Sequence, residues 1–248
     1  VDLRYDGFTP AELAARIRAV SCLVLPTVTS TLDIVHELAA EDAPAGTVVL
    51  ADEQVQGRGR EGRRWHSPPG AGVLLGYLHR VRGETLAGVL ALRVGLVVGA
   101  ALAALDVDVR LKWPNDILLH DRKAGGILCE ARSASGSGDW VAVGIGLNVR
   151  GPVPAEVAEH AAALGDARPD LTRVAVLEAL VPRLQQLDDG PTLSEAERRG
   201  YRERDWLAGR EVLEPVAGRV AGVDVDGALV VDTRSGMRRI LAGTVVAA

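Results

Sequence analysis

Four arginines and three glycines fall within nine residues, Gly57-Arg58-Gly59-Arg60-Glu61-Gly62-Arg63-Arg64-Trp65. Glycines let backbone N–H groups approach an anion, and guanidinium groups neutralise phosphate while making paired hydrogen bonds to it. The stretch suits a polyphosphate; on these residues alone, a solvated basic loop or an Arg-Gly contact to nucleic acid stays open. Lys112-Trp113-Pro114-Asn115-Asp116 sets a cation, a turn, an amide and a carboxylate at the end of one strand. Proline disfavours helix at Trp113 and fixes the turn, so Asn115 and Asp116 project at the sheet edge, where Asp116 is a candidate for Mg²⁺. An ordinary Pro-Asn turn is the alternative.

Lys123-Ala124-Gly125-Gly126-Ile127-Leu128 pairs a lysine with glycines opening a strand, which permits close backbone approach to a flat ligand. Gly144-Ile145-Gly146-Leu147-Asn148 repeats the device one strand later; no helix pattern follows and a third glycine is missing, so it is not a dinucleotide-binding fingerprint. Lys and Arg total 28, yet Lys occurs only at Lys112 and Lys123, leaving 26 arginines. A position that keeps lysine in such a chain is a candidate for a compact point charge able to approach one oxygen, although two surviving surface lysines are an equal alternative. His36, His66, His79, His120 and His160 are too scattered for a zinc pattern and read as structural or exposed.

These residues need positioning elements. Thr9-Pro10-Ala11-Glu12 is a capping box opening a helix over Pro10 to Val20, and Ser30 starts a second, with Ile34, Val35 and Leu38 on its apolar face. Strands are expected over Cys22 to Leu25, Thr47 to Asp52 and Val73 to Leu78, with a loop from Gln54 to Gly70. A long helix over Glu84 to Leu105 precedes strands at Val107 to Trp113, Ile117 to Leu119, Gly126 to Ala131 and Trp140 to Asn148, the last two joined by a loop over Ser133 to Gly138. Helices are expected over Ala155 to Ala163 and Thr172 to Leu187, then one capped at Ser194 and ending near Arg204. Beyond Trp206, short Val-rich runs punctuated by glycine carry the signature of a small barrel, with a domain boundary near Gly209.

At 248 residues and 48% apolar, the chain can bury a full core. A net charge of -5 argues against wrapping nucleic acid by bulk electrostatics. Leu86 to Leu105 is long and apolar enough to suggest a membrane span, but Arg93 lies inside it, and a buried core helix with Gly95 and Gly99 packing closely is the expectation. Cys22 and Cys129 show no paired spacing, which with no signal peptide ahead of Val1 favours a reduced, cytoplasmic protein.

Taken in order, Ser30-Thr31, Gln54, Gly57 to Trp65, Lys112 to Asp116, Lys123 to Leu128 with Glu130, and Gly144 to Asn148 resemble the motif series of the biotin protein ligases. The tail from Gly209, with Gly227-Ala228-Leu229, is similar to that family's C-terminal domain. The resemblance implies an α+β fold: a mixed sheet with packed helices related to class II aminoacyl-tRNA synthetases (1–208), then a small SH3-like β-barrel (209–248). It implies ATP-dependent activation of biotin to biotinyl-AMP, with Mg²⁺, and transfer to a lysine of biotin carboxyl carrier protein. It admits a homodimer.

The resemblance further assigns Ser30, Thr31 and Gln54 to the biotin ureido group, and Gly57, Arg58, Gly59, Arg60, Lys123, Gly126 and Gly144 to biotin more broadly. Arg58, Arg60, Arg63, Trp65, Lys112, Asn115 and Asn148 would meet ATP, and Asp116 the metal. Arg60, Lys123 and Lys112 would be catalytic, because adenylation builds negative charge on phosphoryl oxygens and needs fixed cations, not a side-chain nucleophile. Leu32 stands where many members carry Asn, and no helix-turn-helix precedes the motifs, so sequence-specific DNA binding is not expected. A lipoate or octanoyl ligase or transferase of the same fold, and an RNA-binding module using Arg58 to Arg64, are the rivals.

Overall fold

The computed structural model describes residues 3–81, 86–134, 138–151, 153 and 157–248. The first helix, α1 (Pro10–Ile17), starts as its capping box requires: Thr9 Oγ1 accepts from Glu12 N–H at 3.3 Å and Glu12 Oε2 accepts from Thr9 N–H at 2.8 Å. It stops three residues before the expected Val20, because Arg18 turns into the left-handed region at φ 55° and β1 (Ser21–Val28) begins at once. Ser30 caps α2 (Thr31–Ala40), its hydroxyl accepting from Leu32 N–H at 3.4 Å. There follow β2 (Thr47–Gln54), β3 (Gly72–Arg80), α3 (Ala87–Ala103), β4 (Arg110–Lys112), β5 (Asp116–Leu119), β6 (Arg122–Ala134) and β7 (Gly138–Asn148).

These seven strands form one mixed sheet in the order β1-β2-β3-β7-β6-β5-β4, parallel only between β1 and β2. Central β3 is buried at every position from Gly72 to His79, as a strand covered on both faces must be. On one face α2 lays Leu32, Val35 and Ala39 against Val49, Leu78, Trp140 and Ala142. Across the other face lie α1, α3 and α4 (Arg173–Leu184), the last capped by Thr172. Glu84, expected to open α3, lies outside the described residues, as do 135–137 of the loop between β6 and β7.

Among the described residues no helix is long and apolar enough to cross a membrane. Arg93 explains why α3 belongs in a protein core. It is 3% exposed, and its guanidinium donates to Glu197 Oε1 at 2.6 Å and to the carbonyls of Asp188, Gly190 and Thr192. The charge is thereby fully hydrogen-bonded, and it staples α3 to α5 (Glu195–Arg204).

Two expectations need correction. The strand read over Val107 to Trp113 contracts to Arg110–Lys112, although Val107 and Val109 are buried in the core. The helix read over Ala155 to Ala163 is not formed by its described part: residues 158–160 are a turn, and Ala161 pairs in parallel with Lys123 instead. Alanine content favours helix, but the backbone groups of Lys123 recruit this segment through Lys123 N–H to His160 O (2.7 Å) and Ala162 N–H to Lys123 O (3.0 Å).

Beyond α5, β8 (Glu211–Glu214), β9 (Gly218–Val223), β10 (Leu229–Thr233), β11 (Gly236–Ile240) and β12 (Val246–Ala247) form an antiparallel sheet in the order β11-β10-β9-β8-β12. No pair between β11 and β12 closes it among the described residues. Trp113, buried to 2% exposure, donates its indole N–H to Gly227 O at 2.9 Å and so ties the two sheets together.

Candidate active site

A cavity of about 190 Å³ opens over the middle of the large sheet. Ser30 and Thr31 enter it from the start of α2, Gln54 from the end of β2, Lys112 and Asp116 from the β4–β5 hairpin, Lys123 and Gly126 from β6, and Gly144 and Gly146 from β7. The arginine-glycine loop covers one side with Arg58, Gly59, Arg60, Glu61, Arg63, Arg64 and Trp65. Gly243, Thr244 and Val245 supply a further wall from beyond β11.

The loop folds back as a narrow hairpin. Gly59 N–H donates to Arg63 O at 2.8 Å, Trp65 N–H donates to Gly57 O at 2.9 Å, and a single turn of 3-10 helix at Arg60–Gly62 closes the tip. Gly57 is required there because a Cβ would be driven into the Trp65 carbonyl. The hairpin delivers the Trp65 ring onto the glycines: a Cβ on Gly146 would meet Trp65 Cε2 at 2.5 Å and one on Gly126 would meet Cζ3 at 3.4 Å.

Polar groups in the cavity are held in place. Gln54 Oε1 accepts from Thr31 N–H (2.8 Å) and Thr31 Oγ1 (3.1 Å), which leaves the Gln54 amide N–H₂ to a ligand. Lys123 Nζ donates to Asp116 Oδ1 at 2.5 Å and sits 5.9 Å from the centre of the Trp65 ring. Lys112 Nζ lies 5.2 Å from the Trp206 ring. Burial lowers its pKa, and the positive charges of Lys123 and Arg63 push the same way against Asp116. Arg63 donates to Thr244 Oγ1 at 2.5 Å, and Thr244 donates to Glu61 Oε2 at 2.9 Å, so the loop tip is fastened to the C-terminal sheet. Among the described residues the Arg60 guanidinium has no hydrogen-bond or ion-pair partner, so an anion in the cavity meets it without displacing a carboxylate.

Arg58 lines the cavity but commits three of its five N–H donors to carboxylates. Its NH1 donates to Asp33 Oδ1 at 2.6 Å, and its Nε and NH2 donate to Glu130 Oε1 and Oε2 at 3.2 and 3.1 Å.

Of the residues singled out from sequence, Ser30, Thr31, Gln54, Arg58, Gly59, Arg60, Arg63, Trp65, Lys112, Asn115, Asp116, Lys123, Gly126 and Gly144 share this cavity. Gly57 is not among its lining residues and acts as the hinge of the hairpin. Asn148 is likewise outside the lining; its amide donates to Ala162 O at 3.2 Å. Asn115 lines the cavity but spends its amide on Ile127 O at 2.8 Å, stitching the hairpin to β6. Sequence reasoning gave Glu61 and Arg64 no individual role within the loop and missed the 243–245 wall. Leu32, noted as a departure from the family pattern, fills the floor beside Gly144, where an added Cβ would meet its side chain at 3.1–3.2 Å. Burial pushes the Cys22 thiol up to about 11 and that of Cys129 up to about 12, which disfavours the thiolate form at both.

Residues 24–148 match the model of the biotin/lipoate A/B protein ligase family, and residues 213–246 match that of the biotin protein ligase C-terminal domain. The chain belongs to the biotin protein ligase family. It is 32% identical over 241 residues to the biotin-acetyl-CoA-carboxylase ligase of Mycobacterium tuberculosis, covering 90% of this chain and 87% of that relative. It is 38% identical over 144 residues to the bifunctional ligase/repressor BirA of Escherichia coli, and the match spans 56% of this chain and 43% of that relative. Among solved structures, a biotin protein ligase from Aquifex aeolicus in complex with biotin and ATP superposes with a TM-score of 0.75 at 28% identity, covering 92% of this chain and 98% of the other.

Proposed function

We propose that the protein activates biotin with ATP and transfers it to a lysine of a biotin carboxyl carrier protein. The observation that carries this reading is the convergence of Arg60, Lys112 and Lys123 on one cavity floored by Gly126, Gly144 and Gly146. The Trp65 ring over Gly126 and Gly146 and the Leu32 side chain beside Gly144 give a ring apolar surface to pack on, Ser30, Thr31 and the Gln54 amide offer hydrogen bonds to a ureido group, and the cations face the carboxylate end. In the first step a biotin carboxylate oxygen attacks the α-phosphorus of ATP and the bond to pyrophosphate breaks. Arg60, with Lys123, neutralises the charge that accumulates on the phosphoryl oxygens. In the second step the acceptor amine attacks the acyl carbon, loses a proton, and AMP departs.

Among the described residues no group of three or more His, Cys, Asp or Glu could hold a metal ion by itself. Mg²⁺ carried by a triphosphate needs only one or two protein carboxylates, and Asp116, lining the cavity beside both lysines, fits that role. The ion would supply charge neutralisation on the phosphates. We also read residues 1–208 as the catalytic domain, related to class II aminoacyl-tRNA synthetases, and 209–248 as an SH3-like domain. The family relationship and the antiparallel C-terminal sheet support this division.

Biotin-dependent exchange of labelled pyrophosphate into ATP tests the reading, with lipoate as the comparison. Exchange with biotin, followed by a mass gain on one lysine of a carrier domain, is expected. Exchange with lipoate alone would overturn it.

A further inference from the structure

Three buried or half-buried side chains behind the cavity have no part in the chemistry above. His36, on the second turn of α2, is 4% exposed and lies between Trp140 on β7 and Glu130 on β6. The Trp140 indole Nε1–H donates to His36 Nδ1 at 3.0 Å, and His36 Nε2 is 3.0 Å from Glu130 Oε2. An indole nitrogen can only donate, so Nδ1 must be the acceptor and the imidazole proton must reside on Nε2. That N–H then points at the Glu130 carboxylate. Burial favours the neutral ring, opposed by the hydrogen bond that Nε2–H donates to Glu130.

Glu130 in turn grips Arg58 side-on through both oxygens, while Asp33 holds NH1. Three of the five guanidinium N–H donors are thereby committed, leaving two that Arg58 can present to the cavity it lines. The rotation of the guanidinium plane decides where those two point. With a single carboxylate partner the plane can swivel; with Glu130 pinned from behind, it cannot.

We propose that His36 is a positioning residue of the ligase reaction: Trp140 locks its tautomer, its Nε2–H fixes Glu130, and Glu130 aims the two free Arg58 donors at the anionic substrate group. This rests on the function proposed above. The chain Trp140–His36–Glu130–Arg58 spans β7, α2, β6 and the hairpin, so it transmits the order of the sheet to the loop.

The test uses the full chain, with two readouts. Pyrophosphate exchange at varied biotin concentration gives KM and kcat, and NMR gives hydrogen exchange at the Arg58 Nε–H without any ligand. His36→Phe should raise KM for biotin about tenfold, the loss of one hydrogen bond to a charged group, with kcat changed less than about threefold. It should also speed Arg58 Nε–H exchange about tenfold. His36→Gln, whose amide both accepts and donates at similar spacing, should restore both. Unchanged KM together with unchanged Arg58 exchange in His36→Phe overturns the proposal, as does failure of Gln to restore either. If the wild-type chain gives no biotin-dependent exchange, the functional reading falls, and the Arg58 exchange rates still decide whether His36 orders this arginine. Should His36→Phe not fold, Trp140→Phe frees Nδ1 to carry the proton: ¹⁵N spectra should show the tautomer shifting and Arg58 exchange rising, and no change in either refutes the relay.

Discussion

Gly57→Ala isolates what the hairpin contributes. The new methyl would point at the Trp65 carbonyl oxygen, and the two strands must separate by about 1 Å to regain an ordinary C···O contact of roughly 3.4 Å. Separation breaks the Trp65 N–H to Gly57 O bond and strains the neighbouring Gly59 to Arg63 bond, at a cost of about 1–2 kcal/mol to a loop whose tip is exposed. Global stability should therefore fall by no more than about that amount. Catalysis should suffer far more, because the same movement shifts Arg58, Arg60 and Trp65, and a misplacement of about 1 Å can cost on the order of 100-fold. Urea unfolding and pyrophosphate exchange, measured on one preparation, separate the two effects. An exchange rate within about threefold of wild type at unchanged stability would refute the idea that hairpin geometry sets the position of these side chains.

Lys123→Ala removes a half-exposed ion pair with Asp116, so unfolding should change by less than about 1 kcal/mol while exchange drops by roughly 100-fold or more; an equal loss of both would point to a structural lysine. Asp205, 1% exposed and with Oδ2 unpartnered, has its pKa pushed by burial up to about 6. The folded state thus holds this proton more tightly than the unfolded chain, so stability declines as pH rises from about 4 through 6 and stays lower above. Asp205→Asn should gain up to about 3 kcal/mol in urea titrations at pH 7.5 and little at pH 4; equal effects at both would contradict the assignment. Arg93→Leu leaves Glu197 and three carbonyls without their donor and should lower unfolding free energy by about 3–5 kcal/mol, read by the same titrations.

Much of the large sheet and its site was legible because the signals were local. Capping boxes at Thr9 and Ser194 and the N-caps at Ser30 and Thr172 set helix starts within a residue. Glycine pairs on β6 and β7 marked the floor, and consecutive motifs named most of the lining. What escaped was non-local. Thr244 meets Glu61 across 183 positions, and no periodicity or turn chemistry links two such sites. Arg58 read as one more phosphate ligand, since nothing in an Arg-Gly run announces that Asp33 and Glu130 will claim it. His36 read as structural or exposed for the same reason. The segment at 158–161 misled because alanine propensity was outweighed by the unpaired backbone of Lys123. Trp113, marked in the sequence only as the residue that Pro114 keeps out of a helix, anchors the second sheet through Gly227.

Residues 243–245 complete a wall of a cavity whose opposite side begins at Ser30. The enclosure therefore depends on long-range docking of the second sheet onto the first, which Trp113 secures through Gly227, and a change that loosens that docking would open the cavity while leaving the strands that carry the cations in register.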